Sequence, residues 1–411
     1  MKKCLLLALM ICLLAPAARA HTRDEVRAAW REISAWHEGS PYAEVPGVAA
    51  PYAAGALDPA ACGDALNTLN FIRWLAGLDP VEESHIYDYQ CQHAAVLLAA
   101  LDYVDHNAPQ PGDMDKNFFD SAHIGTTSGN IARFNWMRDS ILREGVAYFA
   151  RDDGDINLGI LGHRRWVLNP AMAATGFGLA NSATGMSYVV MYAHDLGRTE
   201  AAWDWVGWPA PGAFPAELMH DHLAWSISLN PDVYDLAASQ PEVTLTEATL
   251  GLTFRFRPDL GTGDGFCAVN LEPYGGGGAI IFRPDFSEAD FTDYQQNQRW
   301  RVRVDGLVAA GGAAAIEYET EMAALHPEAA VNIEISLLEA ALAPGETLAL
   351  TADVVPAWAD DLSVRWESSD PAVATVDAGG RVTAIAPGEC AITCADSAGH
   401  TDNCALRVSA D

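Results

Sequence analysis

Hydrophobic periodicity changes once along this chain, and that change constrains its architecture more than any single motif. Leu66, Leu69, Ile72 and Leu75 recur at helical spacing, and Gly77 followed by Pro80 ends the run. A run rich in Ala and Leu predicts a second helix over 85–104, and after loops with Gly, Pro and Asp a third helical stretch is expected over 137–150. Two strand-like runs, 176–180 and 188–192, close the region. From about Glu200 the chain turns to short alternating runs, such as Val243-Thr-Leu-Thr and Leu252-Thr-Phe-Arg-Phe, separated by Pro and Gly clusters. A period of two is that of strands with one face on a core. The expected class is therefore α+β followed by all-β sandwich domains.

The N-terminus places Lys2 and Lys3 before an apolar run from Cys4 to Leu14, with Pro16, Ala18 and Ala20 behind it. That order is a secretory signal peptide over 1–20, with cleavage expected after Ala20. The run is shorter than the roughly 20 residues that cross a bilayer, and no later stretch is long enough, so no transmembrane segment is expected after cleavage. The protein is expected to be secreted, extracellular or associated with the cell surface. Residues 21–57 read as a leader segment packed on the first domain. Removing 1–20 takes away three basic residues and no acid, leaving 21 basic against 55 acidic residues, a formal charge of −34. Such a field repels nucleic acid and anionic membranes, so nucleic acid is excluded as a partner and an extracellular protein, glycan or lipid is left.

Six cysteines remain after processing: Cys62, Cys91, Cys267, Cys390, Cys394 and Cys404. In an exported chain they read as disulfides rather than metal ligands, and none has paired C-x-x-C spacing. Cys62 and Cys91 are expected to tie two helices together. Cys390 and Cys394 share one face of a predicted strand with Cys404 on the next. One cross-strand bridge is expected there, with Cys394 and Cys404 the candidates.

Between Leu66 and Leu196 five pieces stand in order: Leu66-Asn-Thr-Leu-Asn-Phe-Ile-Arg with Ala76-Gly-Leu-Asp-Pro; Asp105-His-Asn; Gly129-Asn-Ile-Ala; Gly162-His-Arg-Arg-Trp-Val-Leu-Asn-Pro with Gly176-Phe-Gly; and Tyr188-Val-Val-Met-Tyr. Together they resemble the CAP superfamily, which includes cysteine-rich secretory proteins, venom antigens, plant pathogenesis-related proteins and many bacterial secreted proteins. The resemblance implies an α-β-α sandwich with a central cleft, over 58–199.

In that family the cleft commonly holds two histidines and two acidic residues that can bind a divalent metal. His106 and His163 match the histidine positions, and neutral imidazole is a good zinc ligand. Zinc or calcium is the metal this reading implies. Where the family reads Gly-Glu-Asn, however, this chain reads Ser128-Gly129-Asn130, and one glutamate is missing. Asp153 or Asp155 is left to supply the other acid. The competing reading, which the missing acid favours, has His106 and His163 bonding loop backbone and lining a ligand cleft with Asn130 and Arg164. Arg164 and Arg165 are expected to clamp loop carbonyls.

Asp153, Asp155 and Asn157 alternate as an EF-hand loop begins, but Leu158 stands where glycine is required and Arg164 where the bidentate glutamate belongs. An EF-hand is rejected. The chain has no His-Glu-x-x-His helix, Gly-x-Ser-x-Gly elbow or P-loop. His220 and His222 flank Asp221, two ligands without a third, and read as a surface loop.

Residues 200–328 look like the β extension that follows the CAP domain in some bacterial secreted proteins. Trp208, Phe214 and Trp225 there form either a sugar-stacking platform or a core, and the usual burial of large aromatics favours the core. Residues 329–411 resemble the bacterial Ig-like (Big) domain, carried by Ala343-Pro-Gly-Glu-Thr-Leu, Val364-Arg-Trp-Glu-Ser-Ser-Asp-Pro-Ala-Val-Ala-Thr-Val-Asp, Gly380-Arg-Val-Thr-Ala and Pro387-Gly-Glu-Cys-Ala-Ile-Thr. Trp366 is expected in its core.

Such modules act as spacers or adhesive domains. The preferred expectation is a non-catalytic extracellular binding or scaffold protein that recognises a ligand through the CAP cleft or surface. A metal-dependent hydrolase using His106 and His163, and an adhesin acting through the Ig-like module, are the alternatives. No catalytic residue is assigned.

Overall fold

The computed structural model describes residues 20–409 except 136–137, 259–263, 290 and 357–358, together with all but the side chain of Asp155. The signal peptide expected over 1–20 thus lies, Ala20 apart, outside the described residues, as does Met137 at the start of the third expected helix. The chain divides into two compact units, one running to Tyr294 with Gln298–Ala323, the other Gln295–Asn297 with Ala324–Asp411.

The first unit opens with six helices: α1 (Arg23–Ile33), α2 (Pro59–Leu75), α3 (His85–Leu101), α4 (Lys116–Ser128), α5 (Ile141–Arg151) and α6 (Gly162–Val167). Three of their starts follow from local capping. Thr22 and Glu25 form a capping box at α1, and Asp58 accepts from the Ala60 amide at α2, where Pro59 needs no donor of its own. The loops expected after α3 contain a helix, α4, begun where Asp115 accepts from the amides of Asn117 and Phe118. Of its residues only Ala122, Gly125 and Thr126 are buried, so it carries no apolar stripe for periodicity to find.

A three-stranded antiparallel sheet joins these helices: β1 (Gly129–Phe134), β2 (Phe177–Asn181) and, between them, β3 (Ser187–Tyr192). Helices cover both faces. Tyr188 and Val190 pack into the cluster built on the buried stretch of α3 from Cys91 to Ala99, while Val189, of opposite parity, lies against Gly145 of α5.

The same unit continues as two facing sheets. One runs β9–β10–β6–β4, from β4 (Trp205–Trp208), β6 (Trp225–Leu229), β9 (Gly265–Asn270) and β10 (Ala279–Pro284). The other runs β8–β7–β11–β12–β5, from β5 (Gly212–Pro215), β7 (Glu242–Glu247), β8 (Leu252–Phe256), β11 (Arg299–Ala309) and β12 (Gly312–Ala323). Aromatic side chains fill the space between them: Trp208 on Phe214 at 4.7 Å, Trp225 on Trp300 at 5.8 Å, Phe282 on Phe256 at 5.3 Å. All six are fully buried. Trp208, Phe214 and Trp225 therefore form core and not a sugar platform.

The second unit carries four-stranded, three-stranded and two-stranded sheets around one apolar cluster. Trp366 packs against that cluster half-buried, beneath Gly380, where a Cβ would meet its ring at 3.0 Å. The chain is thus mixed helix and strand with an Ig-like β unit.

The expected disulfides are not formed, and all six cysteines are thiols. For Cys394 and Cys404 the reason is register. Cys394 lies opposite Asp402 and Cys404 opposite Ile392, a two-residue offset that puts the pair on a diagonal of roughly 7–8 Å, beyond disulfide reach. Cys62 and Cys91 are held by other partners: the Cys62 thiol bonds Glu83, and Cys91 bonds the Tyr192 backbone. Burial pushes both thiols up from their ordinary value and lifts Cys267 to about 12, which suppresses the reactive thiolate. Thiol titration with Ellman's reagent on chain 21–411 should release six equivalents in guanidinium and fewer than one, within minutes, without it. Four equivalents or fewer in denaturant would restore a disulfide.

Asp88, in the first turn of α3, sets a pH signature. Its Oδ1 accepts the Phe177 amide at 2.9 Å, tying α3 to β2. Burial raises its pKa from 3.8 to about 6, against the lowering effect of that amide. Between those values the folded chain keeps a proton that the unfolded chain has released, so this group's contribution to stability falls as pH rises from about 4 to 6. Asp88→Asn removes that loss. Its urea midpoint relative to the parent should therefore be higher at pH 7 than at pH 4, and an equal difference at both pH values contradicts the assignment.

Candidate functional site

Three histidines contact the junction between α4 and β1, His106 through its ring and His163 and His194 through their backbone. His106, in the loop after α3, bonds the Thr126 carbonyl through Nδ1 at 2.7 Å. A carbonyl only accepts, so Nδ1 carries the proton and the neutral ring keeps its lone pair on Nε2. His194, which follows β3, donates its backbone amide to the Ser128 carbonyl at 3.1 Å. Asn130, buried at the start of β1, donates Nδ2 to the His163 carbonyl at 3.0 Å. Positions 126, 128 and 130 thus each hold one histidine. Burial, and secondly the closeness of His106, keep the His194 imidazole below its ordinary pKa. Trp166 lies on the His194 ring at 4.1 Å.

His163 is fixed from its other side by Asp152. That carboxylate caps α5 from a left-handed backbone (φ 48°) and turns inward, with its side chain 1% exposed. Its oxygens accept from the amides of His163 at 3.1 Å and Arg164 at 3.3 Å, from Asn157 Nδ2 at 3.1 Å and from His163 Nδ1 at 3.1 Å. The carboxylate, which only accepts, is the nearer partner of Nδ1, with Asn157 Nδ2 farther off at 3.4 Å and itself donating to Asp152, so the neutral His163 ring also keeps its lone pair on Nε2.

The next residue, Asp153, is exposed and lines a separate cleft of about 730 Å3 with Asp221, His222, Phe266, Arg283 and Phe286. The acid at His163 is therefore Asp152, which sequence reasoning passed over for its neighbours. Alternation in an acidic run does not reveal which carboxylate a helix cap turns inward. His194 was missed as well, because no motif piece contains it.

Arg164 and Arg165 clamp carbonyls across the molecule. Arg164 is fully buried, its Nε donating to the Ala150 carbonyl at 2.7 Å and its Nη1 to the Ala224 carbonyl at 2.6 Å. Arg165 donates to Asn270 Oδ1 at 2.8 Å and to the Gly277 carbonyl at 2.6 Å. Both tie α6 to the β strands that follow, so Arg164 serves as structure.

The donor set does not fit the family's two-histidine, two-acid metal centre. At the position of the missing glutamate, a Cβ on Gly129 would sit 2.6 Å from the Gly125 carbonyl oxygen, so the backbone leaves little room for a side chain. Asp152 is committed to four hydrogen bonds. Among the described residues no three His, Cys, Asp or Glu side chains are grouped to hold a metal ion.

Among the described residues no helix is long and apolar enough to cross a membrane. Residues 329–405 match the family model described as bacterial Ig-like domain (group 2), the region in which the sequence resembles Big domains. No CAP-type model matches, and no curated protein matches the sequence. Similar solved structures include extracellular domains 3–5 of Drosophila OTK, at 12% identity and TM-score 0.23, covering 45% of this chain and 59% of that one. Another is the C-terminal 282-residue fragment of intimin in complex with the intimin-binding domain of its translocated receptor, at 14% identity and TM-score 0.16, covering 47% and 60%. A third is the N-terminal part of the bacterial S-layer protein SbsC, at 11% identity and TM-score 0.19, covering 85% and 80%. The chain spans about three fifths of the length of the first two, and these likenesses are too low to add to the family match over 329–405.

Proposed function

We propose that the protein is an extracellular, non-catalytic binding protein. Residues 58–199 form a CAP-type α-β-α domain that takes a ligand at the α4–β1 junction. Residues 200–328 are its β-sandwich extension, and the Ig-like module over 329–411 displays the assembly. The observation that carries this reading is the contact of three histidines with Thr126, Ser128 and Asn130, His106 by its ring and His163 and His194 by their backbone, with the Nδ1 atoms of His106 and His163 each facing an acceptor. Rigid, oriented polar groups beside an aromatic ring are what recognition of a polar ligand needs. The order of CAP-like motifs and the helices on both faces of the β1–β3–β2 sheet support the fold assignment. The formal charge of −34 supports a ligand other than nucleic acid.

Labelled chain 21–411 should be read on a glycan array and on phosphatidylcholine vesicles, beside a His106→Ala, His163→Ala double variant. Saturable binding lost in the variant is the expected result. Binding that survives the variant would move the ligand out of the cleft.

A further inference from the structure

His220 and His222, on the turn between β5 and β6, lie apart from the histidine junction. Their rings are parallel within 6°, with centroids 5.7 Å apart. Each Nδ1 faces its own carboxylate: His220 faces Asp293 Oδ2 at 3.2 Å, and His222 faces Asp221 Oδ1 at 3.2 Å. The supports are themselves held. Asp293 Oδ1 accepts the amides of Asp221 at 3.0 Å and Tyr294 at 2.8 Å, and the turn closes where the Leu223 amide donates to the His220 carbonyl at 2.8 Å. Arg283 donates to the His222 carbonyl at 3.1 Å.

Carboxylates on both Nδ1 atoms put the protons there and leave both Nε2 atoms as ligands, the arrangement that orients histidine toward metals. We propose that His220 and His222 form a two-nitrogen site for a divalent first-row transition ion. Two imidazoles on one ion, at metal–nitrogen distances of about 2.0–2.1 Å, bring ring centroids to roughly 5 Å. The half-exposed rings stand at 5.7 Å, and to share one ion they turn out of their parallel arrangement so that both Nε2 lone pairs point at it. Water completes the coordination, and the 730 Å3 cleft that Asp221 and His222 line opens beside it. Imidazole donors select copper(II) over nickel(II) and zinc(II), and calcium and magnesium, which prefer oxygen, are not bound. The strongly negative chain raises the local concentration of any cation.

The test is copper(II) binding to tag-free chain 21–411 by calorimetry and electron paramagnetic resonance. One equivalent should bind with a two-nitrogen signature and at least tenfold tighter than zinc(II). His220→Ala with His222→Ala should weaken it more than tenfold, while His106→Ala with His163→Ala leaves it unchanged. Asp293→Asn, which keeps both ligands but loosens the His220 ring, should weaken binding by about tenfold. Copper binding that the first double variant leaves intact overturns the proposal, as does loss confined to the second, which would place the metal in the cleft. Circular dichroism of each variant separates these outcomes from misfolding.

Discussion

Replacing Arg164 with leucine should destabilise the first unit by about 4 kcal/mol, because three carbonyls, two of them buried, lose their donor at once. Those of Ala150, Arg151 and Ala224 all accept from this guanidinium, two of them at the end of α5 and one just before β6. A buried acceptor left without a partner costs about 1–3 kcal/mol. The guanidinium also offsets the buried Asp152 carboxylate and lies 5.7 Å from the Trp208 ring. Leucine recovers part of the cost of burying an ion, which is why the expected loss stays below the sum of these parts. Thermal unfolding followed by the fluorescence of the buried Trp208, Trp225 and Trp300 should move down by about 10 °C. Arg164→Lys keeps the charge but not the fork, and should recover less than half of the loss. A leucine variant within about 1 kcal/mol of the parent would mean that water replaces the guanidinium, and that α6 is not tied to the sandwich as described.

The same residue shows how far the sequence could be read. An arginine pair behind a histidine announces a clamp, but apart from the nearby Ile160 its backbone carbonyl partners lie 13 to 112 positions away, at distances that no local pattern encodes. Where local physics dominates, the reading was close. The apolar spacing of α2 and the alternation of β7 and β8 each reflect one face on a core, while α3, buried all round from Cys91 to Ala99, shows as a run of Ala and Leu. Where an element buries small or polar residues, periodicity is silent, and α4 packs on α3 through Gly125 against the Gln90 backbone. Cysteine parity was read for facing and not for register, so Cys394 and Cys404 were placed on one buried face and wrongly joined. At the junction, His106, His163 and Asn130 were visible as motif residues. Asp152 became visible only once a left-handed cap turned it away from Asp153.

Gly178→Val should cost still more, about 4–5 kcal/mol, and has the clearest geometric cause. A Cβ at Gly178 would lie 2.1 Å from the Cys91 carbonyl oxygen and 2.6 Å from the Gln92 amide nitrogen, inside the backbone of α3. Neither side can give way. The Gln92 side chain accepts the Leu179 amide at 2.9 Å and donates to the Leu179 carbonyl at 2.9 Å, pinning edge strand β2 to the helix at that separation. Residues Cys91 and Ala94 to Leu98 of α3 are fully buried, so the helix has no free space to retreat into. Overpacking against side chains usually costs about 1–3 kcal/mol, and a clash with two fixed backbones exceeds that range. The Gly176-Phe-Gly motif thus has a physical reading, since a Cβ on Gly176 would likewise come within 2.3 Å of the Asp88 amide nitrogen. Gly63→Ala is the control with the opposite sign: it lies within α2 with nothing within 4 Å of a new Cβ, and should stabilise by about 0.5–1 kcal/mol. Urea unfolding of both variants tests the argument together. A Gly178→Val variant as stable as Gly63→Ala would show that β2 does not rest on α3, and with it the three-layer packing behind the proposed cleft would fall.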